Sequence, residues 1–160
     1  MNTIYILLGA NLGNSLQQIL DAEQKLITKI GNLMSKSSLY KSAAWGVEDQ
    51  PPFLNQVLIL NTTLDAHTCL TICQEIEHEL GRVRLVKWGA RVIDIDILYF
   101  NNDIISTPNL IIPHPYIAER KFTLEPLAEI APTFIHPFFN KSQEELLRDC
   151  TDPLDVQKIS

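Results

Sequence analysis

The strongest predicted strand of this chain spans residues 92–100 and reads Val92-Ile93-Asp94-Ile95-Asp96-Ile97-Leu98-Tyr99-Phe100. Strand side chains alternate between two faces, so the isoleucines share one face while Asp94 and Asp96 share the other. The α-carbons of the two aspartates lie roughly 6.5–7 Å apart on that face. Two carboxylates this close in an apolar strand repel one another, and burial strengthens the repulsion. Their charge therefore has to be compensated.

Further strands and helices alternate on both sides of this run. Apolar periodicity predicts strands at residues 3–8, 39–40 and 53–62, and helices at 15–30, 65–81, 117–130 and after Ser142. Ser15 with Gln18, and Ser142 with Glu145, have capping-box spacing, Asp65 can cap the second helix, and Gly31 and Gly81 are placed to end helices. The order β-α-β-β-α-β predicts an α+β fold, a ferredoxin-like sandwich with helices on the faces of a mostly antiparallel sheet.

Length and composition predict one globular domain over residues 1–160. Of the side chains, 46% are hydrophobic and 20% charged, which excludes disordered and collagen-like classes. The formal charge of −6 argues against nucleic acid or an anionic membrane as a partner. The N-terminal apolar run ends near Leu8 and is too short for a signal peptide or a membrane span. We expect a cytoplasmic protein, and nothing in the sequence demands more than a monomer.

The positive charge is concentrated directly before the two aspartates. The basic residues of this stretch are Arg82, Arg84, Lys87 and Arg91, and no acidic residue lies between Glu79 and Asp94. Arginine forks bind phosphate oxygens, and Mg²⁺ takes one or two carboxylates together with phosphate oxygens. A basic loop leading into a carboxylate pair therefore predicts polyphosphate–metal chemistry. A solvated basic loop, a solvated strand face or an internal Asp–Arg pair are the alternative interpretations.

Three other features have both a functional and a structural interpretation. His114 stands between two prolines and can donate to a phosphate or to a backbone group. The loop aromatics can stack on a flat heterocycle or pack in the core; they are Trp45, Phe53, Trp88 and Phe122. Cys69 and Cys73, near His67 and His78, match no standard zinc spacing and fall on the apolar stripe of a helix, which favours core packing. No P-loop is present.

Four motifs together resemble the 6-hydroxymethyl-7,8-dihydropterin pyrophosphokinase family, an enzyme family of folate synthesis. They are the stretch from Gly81-Arg82-Val83-Arg84 through Trp88-Gly89-Ala90-Arg91 to Asp94-Ile95-Asp96, the turn Gly9-Ala10-Asn11-Leu12-Gly13, the run Gln50-Pro51-Pro52-Phe53-Leu54-Asn55, and Pro113-His114-Pro115 with Arg120, Phe122, Leu124, Pro126 and Leu127. The resemblance extends to about Pro137. The chain departs from the pattern at Ala10, Ala90 and Val92, which bears on loop geometry and phosphate contacts.

This resemblance implies transfer of pyrophosphate from ATP to the pterin hydroxymethyl oxygen, with release of AMP. It implies that Asp94 and Asp96 hold two Mg²⁺ ions and that Arg82 and Arg91 are catalytic. The implied ATP-binding residues are Gln74, Glu77, Arg84, Lys87, Trp88, His114 and Arg120. The implied pterin-binding residues are Ser42, Ala43, Trp45, Phe53, Asn55 and Phe122, with the two phenylalanines on either side of the ring and the asparagine at its edge.

Two other functions remain open from the residues alone. A metal-dependent phosphodiesterase or nuclease would use the same carboxylate pair without a pterin. A small ligand-binding or regulatory module would account for the fold but leave the clustered arginines and aspartates unexplained.

Overall fold

A computed structural model of the chain describes residues 1–43, 51–83 and 93–160, with Arg82 and Val83 described by backbone only. The strands are β1 (Asn2–Ala10), β2 (Gly31–Lys36), β3 (Tyr40–Ser42), β4 (Phe53–Thr62), β5 (Asp94–Phe100), β6 (Ile105–Ser106), β7 (Ile111–Ile112) and β8 (Val156–Lys158). The helices are α1 (Ser15–Lys29), α2 (Ala66–Val83), α3 (Lys121–Ile130) and α4 (Gln143–Asp149), with one 3₁₀ turn at Ile117–Glu119.

Six of the strands form one sheet in the order β5-β1-β4-β3-β8, and β2 pairs with a different part of β4. Each of the recorded pairings is antiparallel. The central strands β1 and β4 are apolar over most of their length, because both of their faces are covered by other elements. This arrangement confirms the predicted α+β sandwich.

The first face of the sheet is closed by α1 and α2. Strand β1 contributes Ile4, Ile6 and Leu8 to it, and these side chains are fully buried against both helices. Cys69 and Cys73 also belong to this layer, and burial raises the pKa of the Cys69 thiol to about 11. Both cysteines therefore serve as small core side chains, as the helix stripe predicts.

The second face is covered by α3, α4 and the 3₁₀ turn. The buried layer there includes Tyr5, Leu7, Val57 and Leu98 from the sheet and Leu124 from α3. Strand β5 changes its alternation at a bulge, where Tyr99 pairs with Tyr5 but Ile97 pairs with Ile6. As a result Leu98 and Tyr99 both pack on the second face, and the alternation of residues 94–97 is unaffected.

Several local predictions are confirmed. Strand β4 has the predicted bounds, Asp65 accepts the N–H of Thr68 at 2.8 Å at the start of α2, and the Ser142–Glu145 capping box is complete. The predicted turn after β5 is present, with Asn101 in the left-handed region at a φ of 51°.

Other local predictions are wrong. Asn14 rather than Ser15 caps α1, because its carboxamide oxygen accepts the N–H of Gln17. Helix α2 continues through Gly81 to Val83, and strand β2 was not predicted.

Gly31 does follow the end of α1, but close packing explains it better than helix capping. It is the first residue of β2, and a Cβ at this position would lie 1.8 Å from the carbonyl oxygen of Asn61 on the neighbouring strand. Only glycine permits that approach.

Within the described ranges, no helix combines the length and the apolar character needed to cross a bilayer.

Candidate active site

The second face of the sheet holds a pocket of about 540 Å³ beside the part that α3 covers. Its lining residues come from β1, β3, β4, β5, the segment leading into α3 and the segment before β8: Leu7, Gly9, Ser42, Ala43, Phe53, Asn55, Asp94, Asp96, Tyr116, Glu119, Arg120, Phe122, Asp152 and Leu154. This volume is that of an ordinary small-molecule site.

Asp94 and Asp96 line the pocket together, as their alternation in β5 predicts. Both are half-buried, while Ile95 between them is buried in the opposite layer. In the register of the sheet, Asp94 lies opposite Gly9 and Asp96 opposite Leu7. The pocket lining therefore has two carboxylates on its floor at the edge of the sheet.

The described part of the lining is acidic. Four carboxylates face one guanidinium, that of Arg120. The four carboxylates are those of Asp94, Asp96, Glu119 and Asp152. Such an excess of like charge favours a bound cation.

Asn55 lies deep in the pocket and is held in place by strand β1. Its amide nitrogen donates to the carbonyl oxygen of Leu8 at 3.3 Å, and the residue is only 4% exposed. Gly9, its partner in the β1–β4 register, has no side chain, and a Cβ there would lie 2.8 Å from that same nitrogen. Gly9 thus makes the space that this buried amide occupies.

Arg120 and Phe122 reach the pocket from the start of α3. The guanidinium carbon of Arg120 lies 4.8 Å from the ring centroid of Tyr116 and 5.6 Å from that of Phe122. Both distances are within cation–π range, so the cation contacts both aromatic rings. Phe53, at the start of β4, supplies another aromatic side chain to the lining.

His114 belongs to the surroundings of the pocket rather than to its lining. Its ring Nδ1 accepts the N–H of Tyr116 at 3.2 Å, so the neutral ring carries its proton on Nε2 and can donate from there. Burial lowers the pKa of His114, Asp96 acts in the opposite direction, and Arg120 adds to the lowering. The backbone N–H of His114 is bound to the carbonyl oxygen of Leu98, which ties this segment to β5.

Gln74 and Glu77 lie on α2, outside the pocket lining. Gln74 is exposed, and Glu77 accepts the backbone N–H of Ile95 at 2.8 Å. Glu77 thereby satisfies a donor of strand β5 between the two aspartates. A role of either residue toward ATP stays a prediction.

The remaining predicted site residues fall where the structure describes no side chain. They are Trp45, Arg82, Arg84, Lys87, Trp88 and Arg91. The structure brings together eight of the other predicted residues, namely Ser42, Ala43, Phe53, Asn55, Asp94, Asp96, Arg120 and Phe122.

Six lining residues were not predicted as site residues. Gly9 belongs to a family motif, and Tyr116 directly follows the Pro113–Pro115 motif. The local sequence could therefore have identified both as site residues. Asp152 and Leu154 have no local signal, because only the tertiary pairing of β8 with β3 brings them to the pocket. Leu7 and Glu119 complete the set.

No group of three or more His, Cys, Asp or Glu side chains in the described residues is arranged to hold a metal ion. The Asp94–Asp96 pair nevertheless suits Mg²⁺, which is commonly bound by one or two carboxylates and completes its shell with water and substrate phosphates. The pair is half-buried, on one face and in an acidic pocket.

Comparison with known proteins finds one family along most of the chain. The family model of 7,8-dihydro-6-hydroxymethylpterin-pyrophosphokinase matches residues 5–132. The 2-amino-4-hydroxy-6-hydroxymethyldihydropteridine pyrophosphokinase of Aquifex aeolicus is 41% identical over 145 residues, which cover 91% of this chain and 90% of that protein. The Bacillus subtilis protein of the same name is 44% identical over 130 residues, covering 81% and 78%.

Longer proteins contain the same region. The folic acid synthesis protein fol1 of Pneumocystis carinii is 43% identical over 134 residues, which are 84% of this chain but 18% of that protein. Among solved structures, Plasmodium falciparum HPPK-DHPS with pteroate superposes with a TM-score of 0.74 at 18% identity, covering 92% of this chain and 42% of that one. At that identity the superposition supports the fold alone.

The matched region contains the aspartate pair, Asn55 and both phenylalanines of the pocket, and the relatives match along most of the chain. The chain belongs to the 7,8-dihydro-6-hydroxymethylpterin-pyrophosphokinase family, the pyrophosphokinases of folate biosynthesis.

Proposed function

We propose that this chain transfers the pyrophosphoryl group of ATP to 6-hydroxymethyl-7,8-dihydropterin in the pocket on the second face of the sheet. The hydroxymethyl oxygen forms a bond to the β-phosphorus of ATP, and the bond from that phosphorus to the oxygen bridging the α- and β-phosphates breaks. The products are AMP and the pterin diphosphate, and the hydroxyl proton is released. One observation carries this proposal: the two aspartates of β5 share a pocket with Phe53, Asn55 and Phe122.

The pterin occupies the part of the pocket between Phe53 and Phe122. Aromatic side chains stack on flat heterocycles at offset distances, and both rings are in the lining. Asn55 recognises the polar edge of the ring system, and its amide is oriented beforehand by the carbonyl of Leu8. Ser42 and Ala43 at the end of β3 complete the pocket on that side. The family resemblance assigns Trp45 to the same site.

Asp94 and Asp96 would hold the magnesium of Mg²⁺–ATP, two ions in the prediction from the family resemblance. When bound, the metal polarises the transferred phosphate and neutralises its charge. The two carboxylates fix where the phosphates lie relative to the pterin. Phosphoryl transfer depends chiefly on positioning and on charge neutralisation, so no strong general base is required.

The cations of the site bind the phosphate chain. Arg120 reaches the pocket from α3, and His114 offers its Nε2 proton close by. The motif from Arg82 to Arg91 adds Arg82 and Arg91 as catalytic cations, with Arg84, Lys87 and Trp88 at ATP. The family resemblance also assigns Gln74 and Glu77 on α2 to the nucleotide.

Formation of AMP from ATP tests this function. The wild-type chain is incubated with ATP and Mg²⁺, with and without 6-hydroxymethyl-7,8-dihydropterin, and the nucleotides are separated. We expect AMP and pterin diphosphate in equal amounts, and only when pterin and metal are both present. ADP as the product, or AMP formation that ignores the pterin, would exclude the proposal.

The same assay separates the alternatives. A phosphodiesterase or nuclease would cleave an ester substrate in the presence of metal without pterin, and a non-catalytic module would bind ligand without turnover. The monomeric state, the cytoplasmic location and the absence of a nucleic-acid or membrane partner stay predictions.

A further inference from the structure

One wall of the pocket comes from a segment that the family match does not include. The match ends at residue 132, whereas Asp152 and Leu154 line the pocket. We call residues 152–160 the closing segment. Its strand β8 pairs with β3, with Val156 opposite Ser42, and β3 itself leads to the pterin side of the pocket.

The closing segment is bound to the sheet over its whole second half. The N–H of Leu39 donates to the carbonyl oxygen of Ser160 at 3.0 Å, and the N–H of Ile159 donates to the carbonyl oxygen of Leu39 at 2.9 Å. Lys158 also forms an ion pair of 3.4 Å with Glu129 on α3. These contacts fix the segment between the sheet edge and α3.

Asp152 connects this segment to the start of α3, which also contributes to the pocket lining. One carboxylate oxygen accepts the backbone N–H of Lys121 at 3.0 Å, and the other accepts the N–H of Leu154 at 3.0 Å. Lys121 is the first residue of α3, and that helix start has no capping hydrogen bond from its own N-cap side chain. Asp152 therefore supplies the missing acceptor from outside the helix, where a negative charge is also favourable.

The position of Lys121 makes this contact matter for the site. Its two neighbours in the chain both line the pocket: Arg120 contributes a guanidinium and Phe122 an aromatic ring. Fixing the backbone between them fixes both side chains. Without the acceptor, the first turn of α3 would have an unsatisfied donor and would fray.

We infer that Asp152 is a positioning residue for the pterin, and that Leu154 is an apolar contact of the pterin; this inference rests on the proposed function. Asp152 acts through the start of α3 and touches no reacting atom. The closing segment thus completes the specificity pocket from the far end of the chain.

The test compares Asp152→Ala and Leu154→Ala with Asp155→Ala, which removes the same charge from an exposed side chain of the same segment. The Michaelis constants for pterin and for ATP, kcat and the pterin dissociation constant are measured well below the unfolding temperature of each variant. For Asp152→Ala we expect the KM and Kd for pterin to rise about fivefold to tenfold, the scale of a lost helix cap, with kcat within about threefold of wild type.

The other variants sharpen the result. Asp152→Asn keeps one acceptor oxygen and should recover part of the affinity, and Leu154→Ala should weaken the pterin without changing the KM for ATP. Asp155→Ala should match wild type. Measuring well below the unfolding temperature distinguishes a distorted pocket from a loss of folded protein. A loss of folded protein alone would lower the active fraction and leave both KM values unchanged.

Three results would overturn the inference. One is an unchanged pterin KM in both Asp152→Ala and Leu154→Ala, and another is a fall in active fraction alone. The third is an equal effect from Asp155→Ala. A wild-type chain that makes no pterin-dependent AMP would instead overturn the proposed function, and the inference with it.

Discussion

The two faces of the sheet are made by the same strands yet differ in almost every chemical respect. On the first face, covered by α1 and α2, the strands contribute buried apolar side chains such as Leu8, Leu58 and Ile95. On the second face, α3 and α4 cover one part, and next to it the strands present Asn55 and the pair Asp94 and Asp96. The aspartate pair and Asn55 therefore lie beside the part of the second face that the helices cover.

This difference separates stability from chemistry. Removing apolar area from the closed first face should reduce the free energy of unfolding without affecting the pocket directly. Removing charge from the open part of the second face should reduce activity without destabilising the fold, because the like charges there repel each other. Each of the following substitutions tests that separation.

The largest effect is expected for Asp96→Asn. Loss of one carboxylate of the pair should lower kcat/KM by about a hundredfold to a thousandfold, the scale for removing a group that stabilises charge in a transition state. The unfolding temperature should be no lower than that of wild type, because a repulsion is relieved. Initial rates of AMP formation and a thermal melt measure the two quantities.

Asp103→Asn is the matched control for that variant. Asp103 is an exposed carboxylate in the turn that follows the same strand, and it is not in the pocket lining. It should keep wild-type activity. Near-normal activity of Asp96→Asn, or an equal loss in Asp103→Asn, would show that the open part of the second face does not carry the chemistry.

Leu58→Ala tests the closed face. Leu58 is fully buried in the central strand β4 under the two helices, so its truncation should cost about 2–5 kcal/mol of unfolding free energy in urea titrations. The KM for pterin should stay at the wild-type value at temperatures where the variant is folded. A cost below about 1 kcal/mol would contradict the packing described for this face.

Gly9→Ala tests whether the position of the Asn55 amide in the pocket matters for pterin binding. The new methyl group would lie 2.8 Å from the amide nitrogen of Asn55, so the amide must move away from its place in the pocket. We expect a rise of about tenfold in the KM for pterin, equivalent to about 1.4 kcal/mol. Steady-state kinetics at saturating ATP give this value.

Gly81→Ala is the control for the glycine substitution. A Cβ at Gly81 would meet no atom of the described residues within 4 Å, and Gly81 lies inside α2. This change should leave the KM alone and stabilise the helix by about 0.5–1 kcal/mol. An unchanged pterin KM in Gly9→Ala would show that Asn55 does not recognise the pterin.

The smallest effect concerns a histidine of the second face that lies away from the pocket. Burial lowers the pKa of His136 from its ordinary 6.5 to about 4, and its Nδ1 accepts the N–H groups of Phe138 and Phe139. Between these two pH values the unfolded chain binds a proton that the folded chain does not. Stability should therefore fall as the pH falls from 6.5 toward 4.

His136→Asn keeps an acceptor and removes the titration, so its urea midpoint should depend less on pH over that interval. His67→Asn changes an exposed histidine, one that contacts Thr107, and should retain the wild-type pH dependence. A slope that is the same in wild type and His136→Asn would show that this histidine is not the group responsible.

Much of the fold was predictable because the apolar alternation is strong. The bounds of β4, the stripe of α2 and the shared face of Asp94 and Asp96 followed from local periodicity alone. Local signals also led to errors: Gly81 suggested a helix end, although α2 tolerates it and continues to Val83. The predicted cap of α1 was wrong by one residue, because Asn14 and Ser15 are both good capping residues.

The site was predictable to the extent that its residues lie in motifs. Asn55, Phe53 and Phe122 were identified by resemblance, and the structure places all three around one pocket. Asp152 and Leu154 were missed because their place depends on the pairing of β8 with β3, about 115 residues apart in the chain. Long-range pairing of short strands leaves no periodic signal in a sequence.

The most direct test of the central claim is a crystal structure of the chain with 6-hydroxymethylpterin, Mg²⁺ and a non-hydrolysable ATP analogue. The pterin should lie between Phe53 and Phe122 with its polar edge at Asn55, and the metal should contact Asp94 and Asp96. A pterin bound against α1 and α2, or phosphates held away from both aspartates, would contradict the assignment of the chemistry to the open part of the second face.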